Sequence, residues 1–297
     1  MDLPRIGVTL QHFGRYAGPE GIATLAVAAE RLGFHSLSVS ERLLIPVGPH
    51  WTNDAGLPVD PCWDSLEVLT WAAAHTRRIR LCTGILNTIF QPPVVLARKL
   101  ATLDRLSRGR LDVGIGQGGG TRLPPYYIPE EFTAAGVPVA RRGAGFAEHV
   151  AAMRACWAPD PVEFHGEHYT IPASKVGPKP HGRIPLLFGA ITRPTIERAA
   201  RIGDGFVLVA VDWDAARQQI RWYREAGGTG TVMLSAFPTP PGTDPADAEF
   251  TDAVLADLDR AADAGADEMH VVTTLLDVSP ERQVELLEAL AARTGPS

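Results

Sequence analysis

The stretch from Ser107 to Gly120 carries Gly114, Gly116 and Gly119 in G-x-G-x-x-G order. That spelling holds a pyrophosphate when a strand runs into the glycines and the glycines run straight into a helix. A strand reads from Arg110 to Ile115, but Pro124, Pro125 and Pro129 follow and forbid an immediate helix. A dinucleotide turn of this kind is disfavoured. His12 lies just past the first apolar run, where an imidazole serves either as acid or base near neutral pH or as a loop hydrogen-bonder. Glu41 and Arg42 end the second run. The guanidinium never gives up its proton near neutrality, so Arg42 either holds an anion or an electron-rich ring edge, or pairs with Glu41 at the surface. Gly189, Ala190, Ile191 and Thr192 join a strand to a helix, a junction that offers N–H groups and a helix dipole to an anion, or that Thr192 simply caps. His165 and His168 have no third ligand close in sequence, so a metal is not expected there.

The elements that must position these groups alternate. Short runs rich in Val, Ile and Leu are read at Arg5–Leu10, His35–Ser40, Ile79–Leu86, Arg110–Ile115, Pro185–Phe188, Gly205–Val209, Thr231–Ala236 and Glu268–Thr273. Amphipathic, Ala-rich segments follow at Glu20–Leu32, Ser65–His75, Val94–Leu106, Gly143–Trp157, Arg193–Ile202, Trp213–Ala226, Ala246–Ala264 and Pro280–Arg293. Gly33 is placed to end the first helix, Asp64 to cap the second, and Gly166 to turn a hairpin. About eight strand–helix units at this length predict an α/β fold, a closed (β/α)8 TIM barrel. The near-continuous apolar strands suit a parallel sheet covered by helices. A doubly wound open sheet is the competing architecture, though it usually has fewer strands. We read residues 1–297 as one domain, with mouth insertions at about 43–64, 117–138 and 158–184. In the barrel, Gly114 and Gly116 fall where the fourth strand reaches the ligand-binding face, and glycine there would let a flat ring approach the backbone.

Composition narrows the function. With 28 basic and 34 acidic residues the net charge is −6, and no basic face stands out, so nucleic acid is an unexpected partner. No run approaches the roughly 18 apolar residues of a membrane span, and Met1–Leu10 lacks the order of a signal peptide. Cys62, Cys82 and Cys156 are odd in number and far apart. They predict neither a disulfide framework nor a zinc site, and a reducing cytoplasm is the expected location.

Several segments also resemble a known family. These are GFHSLSVSERLLIP at 33–46, PPVVLARKLATLDRLSRGRLDVGIGQGGG at 92–120, the segment at 130–157, and PLLFGAITRPTIERAARIGDGFV at 185–207. They resemble the luciferase-like monooxygenase superfamily, and within it the coenzyme F420-dependent oxidoreductases. The resemblance implies a TIM barrel, usually a homodimer, that binds F420 or FMN and acts on a small organic substrate. It implies a bulged, cis peptide at Gly84–Ile85 beneath the cofactor ring, where the residues alone would give an ordinary strand end and a turn at Asn87. It implies cofactor contacts at Gly84, Ile85, Asn87, Gly116, Gln117 and Gly118, and cofactor phosphate at Gly189, Ala190, Ile191 and Thr192.

Two departures stand out. Many relatives have a histidine where Arg42 stands, and some have Glu or Trp in place of Gly119 or Gly120. His12 is then the replacement acid or base, beside Glu41 and Arg42. His50, Trp51, Trp63, Tyr126 and Tyr127 either wall a substrate pocket or bury the loops. Two alternatives accompany the F420 reading: an FMN-dependent monooxygenase fed by a separate reductase, and a flavin-binding barrel without turnover.

Overall fold

The computed structural model describes residues 3–49, 51–52, 62–118 and 127–295. Its strands are β1 (Arg5–Thr9), β2 (Ser36–Val39), β3 (Arg80–Asn87), β4 (Leu111–Gly116), β5 (Val162–His165), β6 (Thr170–Ser174), β7 (Leu186–Gly189), β8 (Gly205–Val209), β9 (Thr231–Ala236) and β10 (Glu268–Val271). Its helices are α1 (Pro19–Leu32), α2 (Ser65–His75), α3 (Pro93–Ser107), α4 (Pro129–Ala134), α5 (Ala144–Trp157), α6 (Arg193–Ile202), α7 (Trp213–Glu225), α8 (Asp247–Ala264) and α9 (Pro280–Thr294). Eight strands close into a parallel barrel in the order β1-β10-β9-β8-β7-β4-β3-β2, and β5 and β6 form a separate antiparallel pair. The closed parallel barrel is the expected one, and the open sheet is excluded.

Alternation along each strand sorts the core into two layers. In β8, Phe206 and Leu208 face the helices while Val207 points inward. Val207 meets Cys82, Leu187 and Met233 in an inner apolar cluster, and Ile85 sits against it, partly buried. The outer layer is the larger one, with Val8, Leu37, Leu81, Val113, Leu186 and Leu234 essentially without exposure. Each such side chain contributes about 1.5–3 kcal/mol by leaving water.

Local signals act as the sequence indicates. Gly33 ends α1 at φ 87°, in the left-handed region that glycine tolerates. The Asp64 carboxylate caps α2 by accepting from Leu66 N at 2.9 Å and Glu67 N at 3.3 Å. Gly166 turns the β5–β6 hairpin around a carboxylate. Glu148 on α5 accepts from the amides of Glu167, His168 and Tyr169, and a Cβ on Gly166 would lie 2.0 Å from its Oε1. Glu30 on α1 fastens the entry to β3 in the same manner, taking the amides of Arg77, Arg78 and Ile79.

The sequence reading passed over one short helix: Pro129 occupies the first turn of α4, where its missing N–H has no intrahelical partner to lose.

The N-terminal end of the barrel is closed by charge. Arg80 grips Asp112 with two bonds, at 2.5 and 2.7 Å. Glu268 Oε1 accepts from His270 Nε2 at 2.7 Å and from the Ser36 hydroxyl, and its other oxygen faces Arg5 and His35 at 3.7 Å each. Burial alone would raise the Glu268 carboxyl, but the bonds from His270 and Ser36 outweigh it and hold the pKa at about 2. Only a cavity of about 100 Å³ remains among these side chains.

Candidate active site

The opposite, C-terminal mouth gathers the candidate residues that fall within the described chain. Its centre is the end of β3. Thr83 pairs with Val113 and Leu86 with Ile115, so β3 carries one residue more than β4 across that interval. The extra length is Gly84–Ile85, whose peptide bond is cis. Glu41 holds this bulge from the end of β2. Its backbone N–H donates to Ile85 O at 3.1 Å, and its Oε2 accepts from Asn87 N at 2.5 Å. Glu41 and Asn87 are therefore parts of one brace.

The bulge changes the meaning of the glycines. A Cβ on Gly116 would sit 2.4 Å from Ile85 Cδ1, and one on Gly189 would sit 2.8 Å from the same atom. A Cβ on Gly114 would sit 2.2 Å from Thr83 O and 3.2 Å from Ile85 Cγ2. The space above Gly114 and Gly116, expected to be free for a flat ring, is taken by the protein itself. The apolar surface is Ile85, and the glycines of β4 and β7 exist to seat it. The G-x-G spelling is thus a packing signature at these positions. Gly119 and Gly120 lie outside the described residues, as do His50 and Tyr126.

Arg42 is also placed differently from the surface pair with Glu41. Its Nη1 lies 3.3 Å from Glu131 Oε2, and Glu131 Oε1 accepts from Leu43 N at 2.8 Å. The Arg42 side chain is 15% exposed and that of Glu131 2%, so the pair is shielded. Burial pushes the Glu131 carboxyl up, against the pull of Arg42. Sequence reading missed Glu131 because 89 residues separate the partners.

His12 is buried, with Nδ1 2.8 Å from Leu10 O and Nε2 3.2 Å from Ser40 Oγ. A carbonyl can only accept, so Nδ1 carries the proton and Nε2 accepts from the Ser40 hydroxyl. Burial lowers the His12 pKa, which keeps the ring neutral. Ser40 did not stand out in the sequence reading. The signal was present in HSLSVSE, where Ser36, Ser38 and Ser40 recur with period two on an otherwise apolar strand.

Glu41 is the most perturbed group at the mouth. Desolvation lifts its carboxyl to about 8, with Asp64 and Glu131 adding to the rise and the Asn87 N–H opposing it. The folded state therefore binds this proton more tightly than the unfolded chain. The resulting stability is complete below the ordinary carboxyl value near 4.5 and disappears as pH rises through about 8. Glu41→Gln keeps an oxygen for Asn87 N and removes the titration. In thermal melts from pH 5 to pH 9 the variant should gain on the order of 2–4 kcal/mol over the parent at pH 8 and little at pH 5. Parallel curves across that window would exclude Glu41 as the titrating group.

On the far side, Gln117 Oε1 accepts from Gly143 N at 3.0 Å, and Gly143 O accepts from Arg198 of α6 at 3.1 Å. Gln117 is thereby tied to the helix that Gly189–Thr192 leads into. Gly118 has φ 82° and lies against Phe132 and Phe90. At the junction itself, Thr192 N donates to Thr195 Oγ1 at 3.2 Å, and Thr195 N and Ile196 N both donate to Thr192 O at 2.9 Å. Capping by Thr192 is what these bonds describe. Arg193 opens α6, and a first-turn N–H has no intrahelical partner. His165 pairs with Glu163 at 2.8 Å, and among the described residues no group of three or more His, Cys, Asp or Glu gathers as a metal site.

A parallel barrel with a braced β3 bulge at its ligand face defines a class of enzyme, and comparison with known proteins identifies it. The family model for luciferase-like monooxygenases matches residues 5–249. The chain belongs to the luciferase-like monooxygenase family and is an enzyme of its oxidoreductase type. An uncharacterised protein of Mycobacterium tuberculosis is 34% identical over 276 residues, covering 86% of this chain and 95% of that protein. An F420-dependent glucose-6-phosphate dehydrogenase of Nakamurella multipartita is 32% identical over 197 residues, covering 65% of this chain and 53% of that enzyme. Among solved structures, the monooxygenase RslO1 from Streptomyces bottropensis superposes with a TM-score of 0.74 at 25% identity, covering 98% of this chain and 99% of that one.

Proposed function

We propose that this chain is a coenzyme F420-dependent oxidoreductase whose active site is the C-terminal mouth. The observation that carries the reading is the Glu41-braced Gly84–Ile85 bulge, which sets an apolar isoleucine beside polar groups from β1, β2 and β3. Such a surface fits a flat heteroaromatic ring with one polar edge, and the similarity to an F420-dependent dehydrogenase supports the deazaflavin over FMN. When bound, the coenzyme supplies a ring carbon that gives or takes a hydride. The protein's part is placement, shielding and proton handling.

Ile85 supports the ring. Gln117 and the start of α6 face its polar tail, with Arg142 nearby over the rings of Tyr127 and Phe132. The Ser40 hydroxyl, its proton held against His12 Nε2, stands at the mouth with its oxygen placed to accept from a substrate hydroxyl. The Glu41 carboxyl, poised near neutrality, is a second proton store. Arg42 acts indirectly, by holding the loop after β2 to α4 through Glu131.

The resemblance to the monooxygenase RslO1 supports one alternative, a monooxygenase, which we take to be FMN-dependent and fed by a separate reductase. Titration of the purified protein with F420 and with FMN, each oxidised and reduced, separates the two by absorbance and fluorescence. F420 should bind. FMN binding alone would replace the first reading with the second. Binding without hydride transfer across a broad substrate panel would favour a non-catalytic barrel.

The reading includes a homodimer in the cytoplasm. The family resemblance supports the first, and the free thiols of Cys62, Cys82 and Cys156 support the second. No helix among the described residues is long and apolar enough to cross a membrane.

A further inference from the structure

Glutamine is seldom buried completely, yet Gln283 on α9 has no exposed surface. Its Oε1 has no hydrogen-bond partner among the described residues, a cost that a leucine of similar size would not carry. The nitrogen of the same amide has a specific task. Nε2 donates to Gln11 Oε1 at 2.8 Å. Gln11 is buried too, and its own Nε2 donates to Phe13 O at 2.7 Å and Thr274 O at 3.4 Å.

The Gln11 side chain thus bridges over His12, from the residue before it to the residue after it. His12 is confined inside that bridge. Its Nδ1 lies 2.8 Å from Leu10 O, its carbonyl accepts from Trp63 N at 2.9 Å, and its ring stands edge-on to Phe13 with centroids 4.6 Å apart. Gln283 fixes the direction of the Gln11 amide: a donor held at the oxygen leaves the nitrogen facing Phe13 O. Without that donor the Gln11 oxygen is buried and unpaired, and the side chain gains by leaving the bridge. The donor is itself anchored. Ser279 caps α9, accepting from Arg282 N at 3.3 Å, and Arg282 fastens the first turn to Asp244 and Asp247 at 3.0 and 2.6 Å.

We infer that Gln283 is a positioning residue for His12. Through Gln11, the C-terminal helix holds the imidazole with Nδ1 on Leu10 O and the lone pair of Nε2 toward Ser40. The inference rests on the proposed reading, in which His12 and Ser40 belong to the active site. A separation of 272 residues between the two glutamines hid the pair from the sequence.

The test follows one proton. In protein labelled with 15N-histidine, the His12 Nδ1–H is the imidazole signal missing from His12→Asn. Its exchange with water is measured in the parent, Gln283→Leu, Gln11→Leu and the double variant. Each single variant should exchange about tenfold faster or more, as expected for the loss of one buried hydrogen bond. The double variant should match Gln11→Leu within about threefold, because Gln283 acts through Gln11. Gln283→Glu, whose ionised oxygens repel Gln11 Oε1, should behave as the leucine variant and replaces it if that chain does not fold. Asp277→Ala cuts the exposed Arg15–Asp277 pair between the same loops and should leave the rate unchanged. An unchanged rate in either glutamine variant, rates that multiply in the double variant, or an equal rise in Asp277→Ala overturns the inference. F420 binding is read separately by fluorescence. If F420 does not bind while the exchange pattern holds, the cofactor reading fails and the positioning of His12 stands; if F420 binds and the pattern is absent, the positioning alone fails.

Discussion

Glu268→Ala should cost about 2–4 kcal/mol of folding stability, because it leaves the buried Ser36 hydroxyl and the buried His270 ring N–H without their acceptor. Glu268 is the hub of the N-terminal closure, receiving the Ser36 hydroxyl and His270 Nε2 on one oxygen and facing Arg5 and His35 with the other. The pH dependence identifies the cause. The folded pKa of about 2 lies below the ordinary carboxyl value near 4.5, so the folded state binds this proton less tightly than the unfolded chain. The stability it contributes is complete above about 4.5 and is lost as pH falls toward 2. Glu268→Gln retains the shape and an acceptor oxygen but cannot ionise. Urea unfolding at pH 7 and pH 3 should show the parent losing stability on acidification and the glutamine variant losing distinctly less. An unchanged acid limb would mean that another carboxylate governs it. The lesion lies at the barrel end opposite the mouth, so cofactor affinity should be unaltered in whatever fraction remains folded.

The second large effect concerns three glycines and one isoleucine. Gly116→Ala should destabilise by about 1–3 kcal/mol through overpacking, since its new Cβ would fall 2.4 Å from Ile85 Cδ1. Ile85 cannot simply swing aside: Gly189 and Gly114 border the same side chain at 2.8 and 3.2 Å by the same measure. Ile85→Ala alone should cost about 2–4 kcal/mol by emptying the seat beside Cys82, Leu187, Val207 and Met233. The double variant should recover at least about 1 kcal/mol relative to the sum, because the alanine methyl then enters vacated space. Additive costs would show that the two residues do not share that volume. The same cycle bears on the active site, since a ring-supporting Ile85 also predicts weaker cofactor binding in Ile85→Ala.

The architecture was legible because each strand and each helix carries its own signal. Residues 205–209, 231–236 and 193–202 are read from the sequence with the same limits the structure gives them. Apolar runs, a capping Asp64 and a terminating Gly33 are local facts. The helix at Pro129–Ala134 was hidden by taking proline only as a breaker, when the first turn is its favoured helical place. The site was legible in its location and its bulge, the latter only through family resemblance. What the side chains do there depended on partners far away in sequence. Arg42 meets Glu131, and Gly116 and Gly189 meet Ile85. No window of neighbouring residues contains those pairs. The Glu268 hub left one trace, the Glu-x-His of EMHV, where period two puts both polar groups on the inward face of β10.

The two carboxylates that collect backbone amides, Glu30 for residues 77–79 and Glu148 for residues 167–169, act on loops as caps act on helices. Each lends a helix's side chain to a segment that has no regular structure of its own. Glu30 secures the entry to β3, at the end of the barrel away from the chemistry. A scaffold anchored there can exchange its catalytic loops over evolutionary time without unfastening the strands that carry them. One barrel can in this way be inherited by enzymes with unrelated substrates.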